Sequence, residues 1–156
     1  MTIKINSLLC VLLFVCANQL LFAQESTEAG IVFSQEDWAT LQAKAKAENK
    51  PIFVDAYAVW CRPCKWMAAN TFTDPEVAAF FNAHFINAKI DMEKGEGPKL
   101  ARTYRVMAYP TLLFINEDGE LIYRTLGAQK AKDLIAAGKK ALEKAVPGDS
   151  DENEGK

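Results

Sequence analysis

The order of apolar segments predicts an α/β domain in which a mixed central β-sheet is flanked by helices on both faces. Three observations carry that expectation. Ile52 to Ala58 is a nearly continuous apolar run of strand length, the pattern of a strand covered on both sides. Helical and strand-like stretches alternate from there to Asp91, and such crossovers imply parallel pairing. Further on, Glu117-Asp118-Gly119 is turn chemistry between two strand-like runs, which adds an antiparallel hairpin. The chain has 156 residues, 50% hydrophobic and 24% charged, which suits one packed core and excludes a low-complexity or strongly charged disordered protein.

Ile31-Val32-Phe33 reads as a brief first strand. Ser34 is expected to open the next helix, its hydroxyl accepting from the free N–H groups of the first turn, with Asp37 as capping-box partner and Trp38 and Leu41 on an apolar stripe. That helix runs to about Asn49, and Pro51 ends it. Beyond the central strand a helix runs from Cys61 through Asn70 and breaks at Thr71 to Asp74. Asp74 then caps, and Pro75 starts, a helix carrying Val77, Phe80 and Phe81. Phe85 to Asp91 forms the next strand, with His84 at its start, and a polar loop from Glu93 to Pro98 leads into a short helix through Tyr104. Thr111 to Ile115 and Leu121 to Thr125 make the hairpin, and a last helix spans Gln129 to Lys144. No internal repeat is visible.

Eighteen basic and twenty acidic residues are mixed along the chain, so no electrostatic footprint for a polyanion arises and nucleic acid is not an expected partner. Lys4 precedes an apolar stretch from Leu8 to Val15, which continues to Phe22 and meets the small Ala23. Residues 1–23 therefore read as a secretory signal peptide. Asn18 and Gln19 interrupt the run, whereas a membrane-spanning helix needs about twenty apolar residues. Residues 24–30 read as a polar lead and 31–146 as the domain. Residues 147–156 read as a disordered acidic tail, since Pro, Gly, Ser and acid cannot bury enough apolar area to offset ordering entropy. Cys10 and Cys16 would leave with the signal, and Leu9 and Val15 before them are bulkier than a lipid-attachment signal wants. A periplasmic or secreted protein would then keep one pair, Cys61 and Cys64, in a compartment where disulfides persist.

Trp60-Cys61-Arg62-Pro63-Cys64-Lys65 lies where a buried strand hands over to a helix. Cys61 should sit at the helix N-terminus, where unpaired N–H groups favour a thiolate and lower its pKa from about 8.5 into a range of roughly 3.5 to 7.5. It reads as the nucleophile. Cys64, one turn further in and less exposed, reads as the resolving thiol. Bland readings compete: a zinc site would need about four ligands where Cys61, Cys64 and His84 offer three, so no metal is expected. A purely structural disulfide across so short a loop would constrain the unfolded chain little. Inert buried thiols fit poorly beside Arg62 and Lys65. Asp55 lies on the apolar strand six residues before Cys61, where burial of an unpaired carboxylate raises its pKa toward neutrality.

The run from Val54 to Lys65, with Tyr109-Pro110-Thr111 and Leu126-Gly127-Ala128 downstream, resembles the thioredoxin superfamily over roughly Ile31 to Val146. Thr71 to Val77 is similar to the exported thioredoxin-like group, which includes the C-terminal domain of the bacterial transmembrane thiol-disulfide reductase. The resemblance implies a thioredoxin-like fold and specific roles. Pro110 matches a cis-proline opposite the cysteines that brings the Tyr109 backbone beside substrate, and Gly127 would allow close approach of substrate backbone. Asp55 matches an acid that handles the resolving cysteine's proton. Its usual lysine partner is left open between Lys89 and Asn87. Trp60, Arg62 and Pro63 would line the substrate groove with Tyr109, Pro110 and Gly127. On the residues alone, Pro110 is also readable as a strand-start proline, Gly127 as a turn glycine and Asp55 as a strand-end acid; Trp60 and Tyr57 are each readable as groove or core aromatics, and Tyr57 is expected in the core, Trp60 in the groove.

The function expected is thiol-disulfide exchange outside the cytoplasm, with Cys61 and Cys64 reducing disulfide-containing protein substrates. No dinucleotide fingerprint occurs, so no cofactor is expected and electrons would come from a separate thiol donor, such as a membrane thiol carrier. The alternatives are a disulfide oxidase or isomerase, or a redox-silent thioredoxin-like binding or chaperone module.

Overall fold

The computed structural model describes residues 30–145. The signal peptide over 1–23, the acidic tail over 147–156 and all of the polar lead except Gly30 lie outside the described residues.

Local chemistry sets most of the element boundaries. Helix α1 (Trp38–Glu48) is capped by Asp37, whose side chain accepts from Thr40 N at 2.8 Å, and it ends on Asn49 in the left-handed region. Strand β1 (Ile52–Tyr57) follows Pro51. Helix α2 (Arg62–Asn70) begins at Cys61, with Pro63 in its first turn. Asp74 caps helix α3 (Pro75–His84) by accepting from Glu76 N and Val77 N. Strand β2 (Ile86–Asp91), the short helix α4 (Gly97–Thr103), strand β3 (Thr111–Ile115), strand β4 (Leu121–Leu126) and helix α5 (Ala131–Ala145) complete the order.

The sheet runs β2-β1-β3-β4, with β1 parallel to β2 and antiparallel to β3, and β3 antiparallel to β4. It is the mixed sheet the segment order predicts. One face carries Ile52, Val54, Ala56, Leu113 and Ile115 against Leu41 and Ala45 of α1 and Leu100 of α4. The other carries Phe53, Leu112 and Phe114 against Met67, Val77, Phe81 and Leu134 of α2, α3 and α5. Both faces are thus covered by helices. The second is aromatic: Phe53 meets Phe81 edge-on at 4.6 Å and Phe114 at 5.3 Å between ring centroids. Among the described residues no helix is long and apolar enough to cross a membrane.

Three expectations change. Residues 31–33 do not form a strand; one parallel bridge, Ser34 to Ala88, is all that joins this segment to β2. Ser34 does not open α1, because its backbone N–H is taken by Asn87 O at 2.8 Å and its hydroxyl accepts from Glu36 N; Asp37 is the cap instead. His84 closes α3 rather than starting a strand, its ring 4.8 Å from Phe80.

The α3 cap offers a direct check of this packing. Asp74→Ala removes two acceptor contacts at the first turn and is expected to cost about 1 kcal/mol of unfolding free energy, read as a lower urea midpoint at unchanged slope.

Candidate functional site

Strand register brings four loops to one end of the sheet. Ala56 near the end of β1 pairs with Thr111 at the start of β3, Thr111 pairs with Leu126 at the end of β4, and Tyr57 pairs with Asp91 at the end of β2. The segments holding Val59 to Cys61, Met92 to Glu96, Met107 to Pro110, and Gly127 therefore all emerge there. Their side chains include the exposed apolar groups Val59, Trp60, Met107 and Leu126.

Cys61 and Cys64 are joined by a disulfide at this end. Cys61 is the N-cap of α2, and its Sγ accepts from Cys64 N at 3.1 Å. A backbone N–H aimed at that sulfur, at the positive end of a helix, favours negative charge there once the bond opens. The expected difference in exposure is absent: both cysteines are 2% accessible, because Tyr57 and Tyr109 pack over them together with Ala58. Arg62 and Pro63 between them are exposed.

The Tyr109–Pro110 peptide is cis, and Pro110 O accepts from Gly127 N at 2.8 Å, so these two sequence-predicted residues are tied to each other. Gly127 has φ +76°, and a Cβ built on it would meet no atom within 4 Å. The space beside it is open. Gln129 Nε2 donates to the carbonyls of Leu126 and Gly127, and Thr71 at the end of α2 donates to Gln129 O at 2.7 Å, linking this loop to the cysteine-bearing helix.

Trp60 is 62% exposed, yet its position is defined. Its indole N–H donates to both carboxylate oxygens of Glu93, at 3.0 and 3.1 Å, and Tyr109 meets its ring edge-on at 5.8 Å. Sequence reasoning missed Glu93, since an acid in a polar loop carries no pattern; only the pairing of Tyr57 with Asp91 places that loop beside Trp60. The Tyr109 hydroxyl is pushed up by burial first and then by Glu93 and Asp91.

Asp55 is wholly buried on the aromatic face of β1, between Phe53, which packs with Met67, and Tyr57, which packs on the cysteines. Neither of its carboxylate oxygens has a hydrogen-bond partner among the described residues. Burial pushes its pKa up to about 6, and the nearby charge of Lys89 pulls it part of the way back. The open choice of partner resolves to Lys89, which stands opposite Asp55 in the β1–β2 register with Nζ 3.8 Å from Oδ2. Asn87 pairs with Phe53 instead, and its amide donates to Phe81 O and Asn82 Oδ1. Tyr57 is half-buried rather than a core aromatic. A disulfide whose first sulfur accepts a backbone N–H at a helix head can take part in thiol-disulfide exchange, and a buried acid of raised pKa lies on the strand that leads into it.

Comparison with known proteins agrees with this geometry. Residues 30–125 match the family Thioredox_DsbH, described as a protein of unknown function, DUF255. The chain is 35% identical over 80 residues to the thiol:disulfide interchange protein DsbD of Salmonella typhimurium, covering 51% of this chain and 14% of that protein. It is 34% identical over 87 residues to the thioredoxin of Mycolicibacterium smegmatis, covering 56% of this chain and 74% of that one. Among solved structures, a Bacteroides thetaiotaomicron protein provisionally described as a disulphide-isomerase superposes with TM-score 0.67 at 46% identity, covering 74% of this chain and 95% of the other. The chain thus spans about a seventh of the DsbD protein.

The buried acid makes stability depend on pH in a stated direction. With a folded pKa of about 6 against 3.8 unfolded, Asp55 favours the fold fully only below pH 3.8 and loses that contribution as pH rises through 6. Asp55→Asn is expected to stabilise the oxidised protein by about 3 kcal/mol at pH 7.5 and to lose the gain below pH 4, measured by urea unfolding at both pH values.

Proposed function

The chain belongs to the thioredoxin-like family described as Thioredox_DsbH, and from that membership we propose an extracytoplasmic thiol-disulfide oxidoreductase that reduces disulfides in protein substrates. The observation that carries the reading is the Cys61 sulfur at the head of α2, accepting from Cys64 N in the same cluster as a second sulfur able to displace whatever it captures. The buried acid on β1 supports it. The N-terminal sequence from Lys4 to Ala23, with its charged start and apolar core, supports the location.

The steps follow from the residues. The Cys61 thiolate attacks one sulfur of a substrate disulfide, a Cys61–substrate bond forms, and the other substrate sulfur leaves as a thiolate that takes a proton from water. Cys64 gives its proton to the Asp55 carboxylate and attacks the Cys61 sulfur. The Cys61–Cys64 bond closes, and the second substrate sulfur leaves. Two electrons pass from the cysteine pair to the substrate, and a separate dithiol protein, such as a membrane thiol carrier, returns them.

Trp60, Arg62, Pro63, Tyr109, Pro110 and Gly127 form the substrate-facing rim. A backbone laid against Gly127 finds open space, and the exposed Val59, Trp60, Met107 and Leu126 give it apolar contacts. Arg62 supports a low thiolate pKa through its charge, and the absence of histidine between the cysteines favours reduction over oxidation.

Cys64→Ala is expected to accumulate mixed disulfides through Cys61, and Cys61→Ser to reduce insulin no faster than the buffer does. Equal binding of partners with both cysteines replaced by alanine would instead indicate a redox-silent module. Equilibration with glutathione tests direction: a strongly oxidising Cys61–Cys64 couple would overturn the reductase assignment.

A further inference from the structure

Lys89 does more than stand opposite Asp55. Its ammonium lies 5.1 Å from the centre of the Tyr57 ring, 5.8 Å from Phe72 and 6.0 Å from Phe33. Three rings from three segments thus surround one cation, at the distances where a ring face attracts positive charge. The Nζ to Oδ2 separation of 3.8 Å is too long for a hydrogen bond, and Asp55 Oδ2 has no other donor among the described residues. A flexible lysine that is 28% exposed has room to turn to water, and the pull of the carboxylate is not reinforced by a hydrogen bond.

The Phe33 wall belongs to the extended strap 30–34, which the strand pattern did not explain. The strap is fastened by Ile31 N to Phe72 O at 2.8 Å, Val32 N to Asn82 Oδ1 at 2.9 Å and Ser34 N to Asn87 O at 2.8 Å. Gly30, with φ +117°, lies so close to Phe72 O that a Cβ there would sit 2.7 Å from it. This close fit seats Phe33 edge-on against Phe72 at 5.3 Å.

We propose that Phe33, Tyr57 and Phe72 are positioning residues that hold the Lys89 ammonium beside Asp55, so that the strap forms part of the device setting when Asp55 takes up a proton. The proposal rests on the reading of Asp55 as proton acceptor for Cys64. The other titratable and charged groups around the pair are Tyr57 itself, raised by burial and then by Asp91 and Asp55, and Asp91, with Lys94 3.8 Å from it; Cys61 and Cys64, on which Tyr57 packs, are joined in the disulfide and do not titrate. Leu112 of β3 and Phe33 of the strap complete the surroundings and do not titrate.

The experiment follows the Asp55 carboxyl carbon by NMR through a pH titration of the full oxidised protein. Phe33→Leu keeps apolar volume and removes the ring, and is expected to raise the proton affinity of Asp55 about threefold, or half a pKa unit. Phe33→Trp should restore the original titration. Tyr57→Leu is the second variant, expected to shift Asp55 in the same direction should Phe33→Leu fold poorly. With Lys89→Met already present, Phe33→Leu should move Asp55 by less than about 1.5-fold, because the cation through which the ring acts is gone. An unchanged titration in both single variants, or an equal shift without Lys89, overturns the cage. The decay of the Cys61 mixed disulfide against pH tests the underlying reading separately: a shifted titration with a flat profile keeps the cage and removes Asp55 from the proton transfer.

Discussion

The constraint on which the site depends is the position of β1, paired along both edges and covered on both faces. A strand so enclosed has no side that reaches water, so an ionisable residue at Asp55 cannot be solvated and must be answered by a neighbouring strand. The answer is Lys89, brought opposite by the β1–β2 register. It is incomplete, since the contact is an ion pair without a hydrogen bond, and the acid keeps a pKa near 6. An ionised carboxylate held this way opposes folding at neutral pH, where a neutral side chain would not. The strand that buries the acid also delivers Cys61 four residues beyond its own end.

Much of this was legible before any coordinates. The apolar run at β1, the Asp74-Pro75 helix start and the Glu117-Asp118-Gly119 turn each rest on local chemistry that tertiary structure had no reason to override. The cysteine pair at a strand-to-helix junction was readable for the same reason. What failed depended on distant partners. Ser34 carries a capping residue's side chain, yet its N–H is engaged by Asn87, more than fifty residues away, and the helix starts later at Asp37. Lys89 and Asn87 share the same face of β2, so alternation could not choose between them; only the register does. The equal burial of the two cysteines depends on Tyr57 and Tyr109, the latter placed by a loop whose cis peptide no periodicity reveals.

The buried aromatic face of the sheet and the exposed apolar groups at its cysteine end meet at α2. The aromatic core under α2 and α3 holds the cysteine-bearing helix, with Met67 wholly buried among Phe53, Phe72 and Phe81. At the cysteine end the exposed Trp60 is restrained between Glu93 and Tyr109, the buried Pro110 is tied to Gly127, and the Gly127 loop is tied by Gln129. A surface of this kind presents a fixed shape without being buried, which limits the ordering entropy lost when another chain binds.

The strap over β2 also bears on how the fold avoids unwanted company. An edge strand presents backbone donors and acceptors that any extended polypeptide can copy. Ser34 occupies that margin through a single bridge to Ala88, with Gly30 to Phe33 running alongside. One short segment thereby discourages the addition of a fifth strand at β2, by another copy of the fold or by any other extended chain.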